Sequence, residues 1–171
     1  MTRKSFGLLA TVMCLALLAL PVSRVQAEPS DEVTVTVTIT QTLSVSLDNG
    51  SWDAGSNVSL GGAPDTVGAL GPDYFTAEND GDGPEDLTVT VSGSANWTAG
   101  TAPGADVFAM NLSTNGGSDW TLINPSGGAS LATSLAAGGT QAFDLQLLVP
   151  TSTAHFGVQQ SITVTVTAAA G

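Results

Sequence analysis

Residues 33–40 read Val33-Thr34-Val35-Thr36-Val37-Thr38-Ile39-Thr40, an unbroken alternation of β-branched apolar side chains and threonines. Period two puts every apolar group on one face and every hydroxyl on the other, which an extended strand achieves and a helix does not. β-Branching at every position adds strand preference. The pattern returns over residues 87–91, 143–149 and 162–166, with shorter candidates near Val58, Phe75, Trp97, Phe108, Trp120 and Leu131. Turn formers separate these runs: Asp48-Asn49-Gly50, Gly61-Gly62-Ala63-Pro64, residues 79–84, Asn115-Gly116-Gly117, Gly127-Gly128 and Gly138-Gly139. No stretch has a helical period. About eight to ten short strands divided by turns predict an all-β chain, an antiparallel β-sandwich of immunoglobulin-like or jelly-roll-like type, with a β-barrel as the alternative.

The amino terminus reads differently. Arg3 and Lys4 precede an apolar run over residues 6–22, interrupted by Pro21 and followed by Val25-Gln26-Ala27. That is the layout of a secretory signal peptide over residues 1–27, and the run is too short and too broken for a membrane anchor. Cys14 lies inside the apolar run behind Met13, which argues against lipidation. The expected organisation is a signal peptide (1–27), an amino-terminal strand or arm (28–40) and a β-sandwich domain (41–171), in a protein secreted to the extracellular space or cell surface with no membrane insertion after cleavage.

Arg3, Lys4 and Arg24 are the only lysines and arginines, and all three lie before residue 28, while all fifteen acidic residues lie from Glu28 onward. With no lysine or arginine and His155 neutral, the side-chain charge from Glu28 onward is −15. Nucleic acid, anionic lipid and phosphorylated ligands need cationic side chains and are poor partners. Divalent cations suit the charge better. The lack of cysteine in the same stretch means a core held without disulfides.

The apolar parity of Val33, Val35, Val37 and Ile39 resumes at Leu43, Val45 and Leu47, with only Gln41 intruding. Fifteen extended residues span roughly 50 Å, whereas a domain of this size is about 30 to 35 Å across. Two readings follow. Gln41 marks a corner where the chain crosses between its own sheets, or residues 33–39 form a self-association arm that completes the sheet of a neighbouring copy. An uncharged, strongly β-prone terminal segment is an association hazard unless it is paired.

Residues 75–92, with Asn79-Asp80-Gly81 between two alternating runs, resemble the strand, Asn-x-Gly turn, strand segment of bacterial and archaeal immunoglobulin-like surface domains. The order of signal peptide, alternating amino-terminal strand and small β-sandwich is similar to that of secreted biofilm-matrix fibre subunits of the TasA and camelysin type. That resemblance implies a structural subunit that forms filaments by lending residues 33–39 to the next copy.

Asp80, Asp82, Glu85 and Asp86 put four carboxylates within seven residues around two glycines, a composition calcium favours. The spacing lacks the acidic twelfth position of a helix-loop-helix calcium loop, and a metal-free acidic turn explains the same residues. Catalysis has little to draw on. His155, in a loop before the last strand, is the only base for a Ser-His-Asp arrangement, and no Gly-x-Ser-x-Gly elbow occurs. No carboxylate pair is singled out for glycoside hydrolysis, and zinc would lack paired histidines. An enzyme is therefore not expected.

Trp52, Tyr74, Trp97 and Trp120 offer a stacking platform for sugars, which makes a carbohydrate-binding or adhesive module the alternative, with cell-surface polysaccharide as its partner. A chain this poor in aromatics also needs tryptophan for its core, above all Trp97 and Trp120 in strand-like settings. Asn57, Asn96 and Asn111 head Asn-x-Ser/Thr sequons. The leading expectation is a secreted structural or surface-matrix protein that associates with itself.

Overall fold

The turn clusters cut the chain into nine strands in the computed structural model, which describes residues 35–68 and 75–171. They are β1 (Val45–Leu47), β2 (Phe75–Asn79), β3 (Glu85–Ser92), β4 (Thr98–Ala99), β5 (Val107–Ser113), β6 (Thr121–Leu122), β7 (Ala129–Leu135), β8 (Thr140–Leu148) and β9 (Thr163–Ala170). No helix occurs among the described residues. None there is long and apolar enough to cross a membrane.

One sheet has the order β1-β2-β8-β5-β4, with β6 also on β5, and the other has the order β7-β3-β9. All pairings are antiparallel except β4 with β5. β2 covers only the first half of one β8 edge, Phe75 facing Phe143 and Glu78 facing Thr140. Beyond it, residues 62–66 take over the same edge. The Leu145 carbonyl accepts from Thr66 N–H, and the amides of Leu147 and Val149 donate to Pro64 and Gly62. β8 thus keeps a partner along most of this edge without a second full strand.

Alternation builds the core. In β3, Leu87, Val89 and Val91 are buried while Asp86, Thr88 and Thr90 reach the surface side. The inward side chains of β3 and β7 meet those of β2, β5 and β8 in one cluster that includes Phe108, Met110, Leu112, Phe143, Leu145 and Leu147. Phe75 stacks on Phe143 with ring centroids 5.3 Å apart. This is the all-β sandwich that the period-two runs predict.

Two expected strands are not formed. Val58 lies between Gly55 (φ 101°) and Gly61 (φ 68°), and these left-handed glycines turn the chain before a ladder can start. Residues 35–44 also lack strand structure, and β1 keeps only the last three residues of the long apolar parity. The chain divides between Thr38 and Ile39; residues 35–38, described from the first part, are exposed. The signal-peptide residues, Val33 and Tyr74 lie outside the described residues.

Candidate functional site

The loop between β2 and β3 carries the acidic cluster, and it is built around a buried asparagine. The Asn79 side-chain amide donates to the carbonyls of Gly83 (2.9 Å) and Leu135 (2.7 Å), and its Oδ1 accepts from Gly81 N–H at 2.8 Å. A short polar side chain that satisfies its own loop in this way fixes the turn. Its backbone is held as well, through Gly139 O and Gly138 N–H.

Three of the four carboxylates accept a backbone N–H each. Asp82 Oδ1 accepts from Thr42 N–H at 2.7 Å, and Glu85 Oε1 accepts from Ser44 N–H at 2.8 Å. Backbone bonds run the other way, from Asp80 N–H to Ser44 O (2.9 Å) and from Asp82 N–H to Thr42 O (3.2 Å). Gln41 Nε2 donates to Pro84 O at 2.6 Å. The β1–β2 ladder is thus continued across the loop, with side-chain oxygens accepting from the Thr42 and Ser44 amides. Charge-assisted bonds of this length are the strong kind. Gln41, which the sequence shows as a break in parity, is a tie between the base of the arm and the loop.

The other two acidic residues point elsewhere. Asp86 Oδ1 accepts from Ser134 N–H at 2.7 Å on β7. Ser134 has φ 51°, and the β3–β7 register shifts between Glu85 and Leu87, so Asp86 secures a bulge. Asp80 is exposed. Among the described residues, no group of three or more His, Cys, Asp or Glu side chains is placed to hold a metal ion together. Asp82 and Glu85 are brought to one segment, residues 42–44; Asp80 and Asp86 are not.

Glu85 is the unusual member, fully buried, and no hydrogen-bond donor reaches its Oε2. Beside the loop a cleft of about 270 Å³ is lined by Ile39, Thr40, Gln41, Asp82 and Gly83, at the point where the arm leaves the sandwich.

The arm itself shows its apolar face to solvent. Val35, Val37 and Ile39 are 85, 78 and 89% exposed.

Trp97 and Trp120 do not share one place. Trp97 precedes β4, which pairs with the start of β5, and Trp120 precedes β6, which pairs with its far end. The two attachment points are five residues apart on β5, about 17 Å at the rise of a strand. Trp52 and Trp97 pack against the core, and Trp97 Nε1 donates to Thr153 Oγ1 at 3.3 Å. Trp120 lies against the Gly117 turn. His155 is half-buried in the loop before β9, its amide donating to the same Thr153 hydroxyl. Of the sequon asparagines, Asn111 is engaged with Gln146 across β5 and β8 and Asn96 is near Gln160, whereas Asn57 is on an exposed turn.

One buried polar pair is not evident in the sequence. Thr66 donates through Oγ1 to Asp144 Oδ1 at 2.7 Å and accepts Leu145 N–H at 2.9 Å. Asp144 follows Phe143 in an ordinary alternating run. Its burial arises because residues 62–66 cover β8, which nothing local to β8 announces.

Comparison of the chain with protein-family models, with curated proteins and with solved structures found no match in any of the three.

Proposed function

We propose that the chain is an exported structural or surface-matrix subunit that associates with copies of itself, the arm of one copy adding to a sheet edge of the next. The observation that carries this reading is the exposure of Val35, Val37 and Ile39, in a segment patterned to have one face buried. Three β-branched apolar side chains in a row on a solvent-facing arm lose their hydration only when a groove covers them.

The acceptor this reading names is β9. Among the described residues it pairs with β3 alone, so its second edge is open along Thr163–Ala170. Val164, Val166 and Ala168 are packed against the core yet only half-buried. Residues 33–40 and Thr163–Ala170 are both eight residues long and uncharged, which suits strand addition. Export rests on the amino-terminal layout of basic residues, apolar run and small-residue site. The test is the size of the purified protein as concentration rises, compared between Val37→Lys and Thr36→Lys. Association lost only in the first supports the reading, and a protein that stays monomeric at high concentration overturns it.

A further inference from the structure

From Glu28 to Gly171 the chain has fifteen carboxylates and neither lysine nor arginine. Among the described residues the one side chain that could pair with a buried carboxylate as a cation is His155, which lies in the loop before β9. Glu85 is such a carboxylate, with one oxygen held by Ser44 N–H and the other without a donor. An ionised group taken out of water with half its acceptors unserved is strongly unfavourable. A cation from outside the polypeptide would serve that oxygen.

The surroundings define which cation fits. A Cβ added to Gly81 would collide with Glu85 Oε1 and the Thr42 carbonyl oxygen, and would lie 3.1 Å from Asn79 Oδ1. The Glu85 carboxylate therefore projects into the loop, where a backbone carbonyl and an amide oxygen converge with it. Asp82, bonded to the N–H of the same Thr42, also lines the solvent-open cleft. Every donor is a hard oxygen, with no imidazole or thiolate. Calcium accepts such mixed carboxylate, carbonyl and amide ligands in flexible geometry, whereas magnesium demands a stricter octahedron and transition metals prefer nitrogen or sulfur.

We propose that Glu85 and Asp82, with the Thr42 carbonyl and Asn79 Oδ1, bind one calcium ion between the acidic loop and the base of the arm. Two carboxylates balance the ion's two charges. Asp86 is left out of the site because its carboxylate is turned to Ser134 on β7 rather than to residues 42–44. The site does not depend on self-association. It would fasten residues 42–44 to the sandwich whether or not the arm meets another copy.

The experiment follows the thermal midpoint of protein purified from cells expressing the full chain, in chelator and then in millimolar calcium chloride. Magnesium chloride and sodium chloride at matched ionic strength serve as controls. Calcium at about 100 times its Kd is expected to raise the midpoint by roughly 5–10 °C, with calorimetry showing one ion per chain. Glu85→Gln and Asp82→Asn should both lose that shift. Asp82 is exposed, so its variant should fold where a Glu85 variant fails. Asp86→Asn should keep the calcium response. No response beyond the sodium chloride control, a response retained in Asp82→Asn, or one lost in Asp86→Asn would each overturn the site.

Discussion

Replacing Val37 by lysine separates an arm that acts between molecules from one that serves its own fold. In the isolated chain Val37 is 78% exposed, so a lysine there stays in water. Surface substitutions of this kind change stability by less than about 0.5 kcal/mol. In an assembly the side chain would face a groove. Full burial of a valine stabilises by about 1.5–3 kcal/mol, so losing the exposed four-fifths of it forfeits roughly 1.2–2.3 kcal/mol, about a tenfold change in Kd or somewhat more. A lysine unable to bring its ammonium to solvent adds several kcal/mol, taking the loss past about a thousandfold. Thr36→Lys makes the same change in net charge on the adjacent, opposite face, so any general electrostatic effect cancels in the comparison. Sedimentation or light scattering across a concentration series reads association, and circular dichroism reads folding. Equal weakening by the two lysines, or unfolding of the monomer by Val37→Lys, would refute the reasoning.

Three further outcomes test the fold and the assembly. Gly128→Ala places a Cβ 2.5 Å from the Val89 carbonyl oxygen at φ 74° and should cost about 2–4 kcal/mol by chemical denaturation; Gly138→Ala, at φ 70° with open space around it, should cost only about 1–2 kcal/mol. Thr66→Val keeps the shape but removes a donor to Asp144 and an acceptor for Leu145 N–H, an expected loss of about 3 kcal/mol, while Thr66→Ser should lose less than about 1 kcal/mol by the same measurement. Raising sodium chloride from about 0.01 to 0.15 M shortens the screening length from about 30 to 8 Å and should strengthen association as read by light scattering; weakening would point to ion pairs instead.

The strands that the sequence makes legible are those with an alternating run of five or more residues that also finds a partner strand. β3, β8 and β9 fall within a few residues of the runs that announce them, because period two and core burial act on the same side chains. Residues 35–44 are as strongly patterned, yet they lack strand structure, since a strand needs a partner edge as well as a pattern. Pattern is local and pairing is not. The acidic loop shows the same division. Four carboxylates near two glycines are visible at once, but which of them share a neighbour depends on residues 41–45, some forty positions earlier. Asp86 is claimed by a bulge on β7 and Glu85 by the base of the arm. Gln41 in particular looks like an interruption until its amide is seen on Pro84.

The placement of charge bears on both proposals together. A chain that carries fifteen acidic side chains and no lysine or arginine from Glu28 onward repels its own copies at long range. Contact between copies is then least unfavourable where neither surface carries charge. From Glu28 onward four stretches of fifteen or more residues lack acidic side chains, 33–47, 87–105, 120–143 and 145–171, and the first and last of them contain the arm and β9. Glu28, Asp31 and Glu32 stand before the arm and Asp48 after β1. Such flanking charges oppose indiscriminate stacking of an apolar strand while leaving its centre free to pair. The acidic loop sits at the other end of the same device. By holding residues 42 and 44 through Asp82 and Glu85, it sets where the ordered sandwich stops and the arm begins. A calcium ion there would reduce the local negative charge at the root of the arm, so ion binding and self-association would favour one another without sharing a single ligand.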